Sequence, residues 1–136
     1  MLNFHPKKGT VVCCDFSKGF QPPEMVKVRP VVIITPQLPG RPKLCTIVPL
    51  STVKPNPQQL YHHKMSNNSL PTKLQKADCW AKCDMLYTVC LQRLDRIRER
   101  DNYGNRRYVT SKITAQDLYS IEQAVINGIG LKKCLM

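Results

Sequence analysis

The sequence predicts a mainly β domain with a single helix at its C-terminal end, and three observations carry that expectation. Apolar runs of strand length, rich in Val, Ile and Thr, stand at 9–16, 30–34 and 43–50, separated by stretches rich in Gly, Pro and polar residues. Near the end, Leu118, Ile121, Val125 and Ile129 recur at helical spacing. The length, 136 residues, fits one domain able to bury one core, with the ends at 1–8 and 131–136 expected to be flexible.

In chain order, residues 1–8 read as a polar, basic arm and residues 9–16 as the first strand. Vicinal Cys13 and Cys14 face opposite ways in a strand, so at most one of them is buried. Residues 17–28 form a long loop with Lys18 and Lys27, a stiffening Pro22-Pro23 pair, and apolar Phe20 and Met25. It reads either as a lid over a site or as a surface for a second subunit. Next comes Arg29-Pro30-Val31-Val32-Ile33-Ile34, a buried strand with Arg29 just outside its mouth, because proline suits a strand's first residue. An arginine so placed is either a solvated cation or a rigidly mounted phosphate ligand.

A turn-rich linker at 36–42 leads to the strand 43–50, antiparallel to the one before it. That hairpin returns Ser51 and Thr52 toward Arg29. The two hydroxyls are either a turn-capping pair or partners of the guanidinium. Residues 53–78 are mostly loop, with a weak strand around His62-His63; these histidines are surface residues, possible general bases, or contacts for RNA. Residues 79–91 read as apolar strand material in which Lys82 and Asp84 share a face, as a structural ion pair or a proton-transfer set. Residues 92–112 carry Arg93, Arg96, Arg98, Arg100, Arg106, Arg107 and Lys112 around a turn signal at 101–105, a basic hairpin whose Tyr103 and Tyr108 could stack bases. Thr114 caps the final helix, Asp117 lies in its first turn, and Gly128 to Gly130 ends it.

A net charge of +12 with pI near 9.6 favours a polyanionic partner, either nucleic acid or an acidic protein. No apolar run reaches membrane-spanning length and the N-terminus lacks a signal peptide's apolar segment, so a soluble, cytoplasmic protein is expected. Seven cysteines are an odd number for a disulfide framework. A zinc site from Cys79, Cys83 and His62-His63 lacks a second matching pair. No phosphate loop, nucleotide fingerprint or metal motif is present, so neither cofactor nor metal is expected.

The glycine-led strand Gly9 to Phe16, the loop containing Glu24, Arg29-Pro30 with its apolar strand, and Cys45 to Thr52 together resemble the PemK/MazF family of bacterial toxins. Trp80-Ala81-Lys82-Cys83-Asp84, Thr88-Val89 and Arg93-Leu94 extend the likeness over most of residues 8–130. The resemblance implies a small twisted SH3-like barrel of the MazF/Kid/CcdB type, a homodimer, and a toxin neutralised by an acidic antitoxin and able to bind DNA as the toxin-antitoxin complex. It implies a metal-independent endoribonuclease, an mRNA interferase cutting single-stranded RNA to 2′,3′-cyclic phosphate and 5′-hydroxyl ends. RNA supplies its own nucleophile in the adjacent 2′-hydroxyl, so side chains suffice.

By the same resemblance Arg29 and Ser51 stabilise the phosphorane, while Lys82 and Asp84 act as acid and base. Thr52 substitutes for Ser51 if the register differs by one. Glu24 matches the family's loop glutamate, with two extra residues between Gly19 and Glu24, and Phe20 stands where some relatives have a histidine. Lys18, Lys27, Arg29, His62 and His63 are the RNA-contact candidates. The alternatives are a non-catalytic toxin that binds a protein such as DNA gyrase, and a zinc-stabilised nucleic-acid module.

Overall fold

The computed structural model describes residues 1–131. Ten strands and one helix follow in order: β1 (Thr10–Asp15), β2 (Val28–Ile33), β3 (Leu44–Ser51), β4 (His62–Lys64), β5 (Trp80–Lys82), β6 (Tyr87–Cys90), β7 (Leu94–Asp95), β8 (Ile97–Arg100), β9 (Arg106–Val109), β10 (Ser111–Lys112) and α1 (Ala115–Gly128). The main sheet runs β10-β1-β2-β3-β5-β4, with β6 also on β3 and β7 also on β1; β8 and β9 form a separate hairpin.

The sheet curls into a half-barrel because its two longest-paired strands change partners along one edge. On β3, Leu44 to Ile47 pair with β6, whereas Leu50 and Ser51 pair with β5. On β1, Thr10 and Val11 pair with β10, whereas Cys13 and Cys14 pair with β7. The apolar strand material expected over 79–91 forms two strands, split by a turn at Cys83-Asp84.

Both faces of the sheet are covered, which is why β2 reads as a continuous apolar run rather than an alternating one. On one face Val11, Val32, Val48, Leu50 and Ala81 pack against Ile121 and Ala124 of α1. On the other, Val12, Cys14, Val31, Ile33 and Ile47 pack against Phe16, Leu91 and Leu94. Cys14 is fully buried and Cys13 half-buried, as strand alternation requires.

The expected loose arm at 1–8 is docked: Leu2 is buried, its N–H donates to Leu94 O at 2.8 Å, and the N-terminal ammonium lies 3.4 Å from Asp95. The tail expected to be flexible lies outside the described residues beyond Leu131, as does Cys134. The 17–28 loop turns its apolar residues inward onto its own domain. Phe16, Phe20 and Tyr87 form an aromatic cluster with centroids 5.2–5.5 Å apart, and Met25 N–H donates to the Tyr87 hydroxyl at 3.2 Å. Arg93 pins this loop, donating to Asp15 O and Lys18 O at 3.1 and 2.8 Å and lying 4.8 Å over the Phe20 ring.

The Thr114 side chain accepts from Asp117 N–H at 3.1 Å, a side-chain N-cap for α1. The helix ends within the expected Gly128 to Gly130, with Gly128 its last residue. Gly130, at φ +80°, supplies the left-handed exit, and Gly128 serves a different need. A Cβ there would sit 3.1 Å from both Cys83 O and Asp84 Cα, so the bare backbone lets the helix end touch that turn. Ile129, expected in the apolar stripe, is exposed.

Candidate active site

Arg29 lies inside β2, opposite Cys14, and not outside the strand's mouth; β2 already pairs with β1 at Val28. Pro30 leaves its mark on the other edge. The β2–β3 ladder stops at Val31 opposite Pro49, next to the residue that has no N–H to extend it. Read two residues further, that register sets Arg29 level with Ser51, and Ser51 is directly opposite Trp80 on β5. Directly opposed residues share a face, with Cβ atoms about 5 Å apart. Arg29, Ser51 and Trp80 therefore form one row across three strands. Thr52, exposed and beyond the end of β3, is one position out of this row.

Two members of the row carry buried donors that no protein acceptor matches. Among the described residues, three buried side-chain nitrogens have no hydrogen-bond partner, and two of them are Arg29 Nε and Trp80 Nε1; the third is His5 Nε2. Buried donors in native proteins nearly always find acceptors, so two orphans flanking one hydroxyl suit an incoming oxyanion. Ser51 is 7% exposed and its Oγ accepts from Val53 N–H at 3.1 Å, which holds the oxygen in place at the strand end.

Alternation along β5 puts Lys82 on the same face as Trp80, and His62 of β4 is directly opposite Lys82. Asp84 follows in the exposed turn held by Gly128, so the shared strand face expected for Lys82 and Asp84 ends with β5. No ion pair joins them among the described residues. Instead the charges of both bear on His62, whose pKa is lowered first by burial and then by Lys82, against the opposing pull of Asp84. Gln59 N–H donates to His62 Nδ1 at 3.0 Å, so the neutral ring carries its proton on Nε2.

His63, one residue on, points the opposite way. Its Nε2 lies 2.9 Å from Asp117 Oδ1 at the start of α1, so this expected RNA contact is engaged inside the fold. Asp117 Oδ2 accepts from Ser66 N–H at 3.1 Å, from Ser66 Oγ at 2.8 Å and from Ser69 Oγ. Burial raises the Asp117 pKa, but hydrogen bonds from Ser69, His63 and Ser66 outweigh it and lower the value overall.

Glu24 is likewise occupied locally. Its Oε1 accepts from Gln21 N–H at 2.9 Å while its own N–H donates to Gln21 O at 2.8 Å, closing the Gln21–Glu24 turn. Lys18 and Lys27 are exposed on the same loop. Cys79 and Cys83 are buried, and burial pushes their thiols up to about 11 and 12. With His62 and His63 on opposite faces, the zinc set suggested by sequence is not assembled, and among the described residues no three His, Cys, Asp or Glu side chains converge on a metal position.

Trp80 is the residue that sequence reasoning left without a role. Its signal was present: two residues before Lys82 in a strand means the same face. What sequence lacked was the cross-strand register to Ser51.

A family model for the PemK-like, MazF-like toxins of type II toxin-antitoxin systems matches residues 7–128. The Escherichia coli (strain K12) protein YifN is 30% identical over 148 residues, spanning 94% of both chains. Among solved structures, MazF from Deinococcus radiodurans superposes with TM-score 0.65 at 13% identity, covering 95% of this chain and 100% of that one. An endoribonuclease from a Mycobacterial species, in complex with its cognate antitoxin, matches with TM-score 0.63 at 17% identity, covering 96% and 100%. At these identities the structural likeness is one of fold.

Proposed function

This chain belongs to the PemK-like, MazF-like toxins of type II toxin-antitoxin systems, and from that premise we propose that it is an endoribonuclease acting on single-stranded RNA without a metal ion. The observation that carries this reading is the row of Arg29, Ser51 and Trp80, with two buried donors unmatched by any acceptor of the protein.

The scissile phosphate sits on that row. Arg29 and Trp80 donate to its non-bridging oxygens and Ser51 adds its hydroxyl, so charge accumulating on the phosphorane meets fixed donors in a water-poor setting. The RNA 2′-hydroxyl attacks the adjacent phosphorus. Asp84 takes its proton, and Lys82 supplies one to the departing 5′-oxygen, leaving a 2′,3′-cyclic phosphate and a 5′-hydroxyl. Neutral His62 donates from Nε2 to the RNA beside them. Exposed Lys18 and Lys27 attract the strand from the neighbouring loop.

The +12 charge also suits an acidic antitoxin segment lying across the same face, with the toxin acting as a homodimer. Incubation with an RNA and with the DNA of identical sequence tests the chemistry. The RNA is cut to cyclic-phosphate ends and the DNA is left whole; equal cutting of both would rule out attack by the 2′-hydroxyl.

A further inference from the structure

The β8–β9 hairpin lies outside the site just described. Its register sets Arg98 opposite Tyr108 and Arg100 opposite Arg106, so one face of the hairpin carries three guanidiniums and a phenol. Tyr108 is 54% exposed, with Arg98 and Arg96 at 5.6 and 5.9 Å from its ring centroid. Beside it, Lys73 and Lys76 join Arg98, Arg100 and Arg106 around an open groove of about 580 Å³.

The acids of this region are already used. Glu99, the one carboxylate lining the groove, has an 8% exposed side chain, accepts from Lys73 N–H at 2.9 Å and pairs with Arg107 at 3.6 Å on the opposite hairpin face. Asp101 accepts from Tyr103 and Asn105 N–H at the hairpin tip, both at 2.9 Å. Asp95 lies 3.9 Å from Arg98 and is shared with the N-terminal ammonium. Among the described residues no carboxylate pairs with Lys73, Lys76, Arg100 or Arg106. An ordinary solvated face mixes signs; this one presents cations whose counter-charges have been taken by backbone and neighbours. The groove lies on the helix side of the sheet, since Leu74, beside Lys73, and Ile97, beside Arg98, pack in the same cluster as Ile121 and Ala124 of α1; Arg29 points to the other face.

We propose that this hairpin is a second binding surface for single-stranded nucleic acid, separate from the cleavage row. Arg98, Arg100, Arg106 and the two lysines hold successive phosphates, and Tyr108, with fully projecting Tyr103 at the tip, offers ring faces to unpaired bases. Duplexes keep their bases stacked and gain nothing from those rings. The inference goes beyond the proposed cleavage and does not rest on it.

Binding of a fluorescent 12-nucleotide 2′-O-methyl strand, which cannot be cleaved, tests it by anisotropy over a salt series in the full chain carrying Arg29→Ala. Adding Arg98→Ser with Arg106→Ser weakens binding at least tenfold and lowers the salt slope by about 1.4, two single-strand contacts' worth. Tyr108→Ala weakens it about fivefold or more. The charge-matched pair Arg41→Ser with Lys43→Ser, on the exposed β2–β3 loop, changes affinity less than twofold. Arg98, Arg106, Tyr108, Arg41 and Lys43 are exposed, and circular dichroism verifies that each variant is folded. Equal weakening by the two pairs, an affinity unmoved by Tyr108→Ala, or a duplex bound as tightly as the single strand each overturns the proposal. Since cleavage is not read, failure here is distinct from failure of the ribonuclease reading.

Discussion

Replacing Asp117 tests why one histidine of the pair serves the fold while the other faces the site. Asp117 is 4% exposed, and its carboxylate gathers His63 Nε2, Ser66 N–H, Ser66 Oγ and Ser69 Oγ at the first turn of α1. Asp117→Ala leaves the buried Ser69 hydroxyl and the Ser66 N–H without their acceptor, at about 1–3 kcal/mol each. With the helix N-terminus losing its anion, the total comes to about 3–5 kcal/mol, the usual cost of breaking a buried charged network. For a chain of this size that lowers Tm by roughly 10–20 °C.

Asp117→Asn should cost only about 1–2 kcal/mol. Its amide N–H₂ can face His63, whose Nε2 accepts in the other tautomer, while its oxygen keeps the serines. Equilibrium denaturation with fluorescence from the lone Trp80 measures both. An alanine variant within 1 kcal/mol of wild type, or an asparagine variant as costly as alanine, would refute the reasoning. The folded-state pKa of Asp117 lies below its unfolded value near 3.9, so its contribution is fully present above about pH 4 and fades as pH falls through the folded value. The same two variants should therefore converge with wild type in acid.

Three further expectations follow from the site. His62→Ala should raise KM several-fold with little change in kcat, and His62→Gln should restore binding through its amide donor; a collapse of kcat alone would instead make His62 a proton carrier. Gly128→Ala gains up to about 1 kcal/mol of helix propensity but drives a methyl to 3.1 Å from the Cys83-Asp84 backbone, so cleavage should fall several-fold with a stability change under about 2 kcal/mol. Unchanged cleavage would show that Asp84's position does not matter. Arg93→Ala removes two carbonyl contacts and the stacking on Phe20, so hydrogen exchange should quicken across 16–27 at a cost of about 1–2 kcal/mol, and an unaltered loop would contradict its role as a pin.

Much of the fold was legible because β1, β2, β3 and α1 announce themselves by local pattern, as does the β8–β9 turn through Asp101 and Gly104. The family likeness named Arg29, Ser51, Lys82 and Asp84, and the register explains why Ser51 rather than Thr52 is level with Arg29. What stayed hidden depends on partners distant in sequence. His63 finds Asp117 fifty-four residues on, Phe20 finds Tyr87, and Trp80 gains meaning only when β3 trades β6 for β5. Glu24 was hidden for the converse reason: its bond with Gln21 is too local to leave any periodic trace. The strand material expected over 79–91 is interrupted at Cys83-Asp84, a turn in close contact with Gly128 that residue types alone do not mark.

The most direct test of the central claim is cleavage of a long single-stranded RNA by purified, antitoxin-free protein in excess EDTA, beside Arg29→Ala, with cut positions and end groups mapped. The account predicts discrete cuts ending in 2′,3′-cyclic phosphate for wild type, with Arg29→Ala slower by at least a hundredfold, the scale on which losing one preorganised donor acts. RNA left intact by folded wild-type protein, or cut equally by Arg29→Ala, would contradict it.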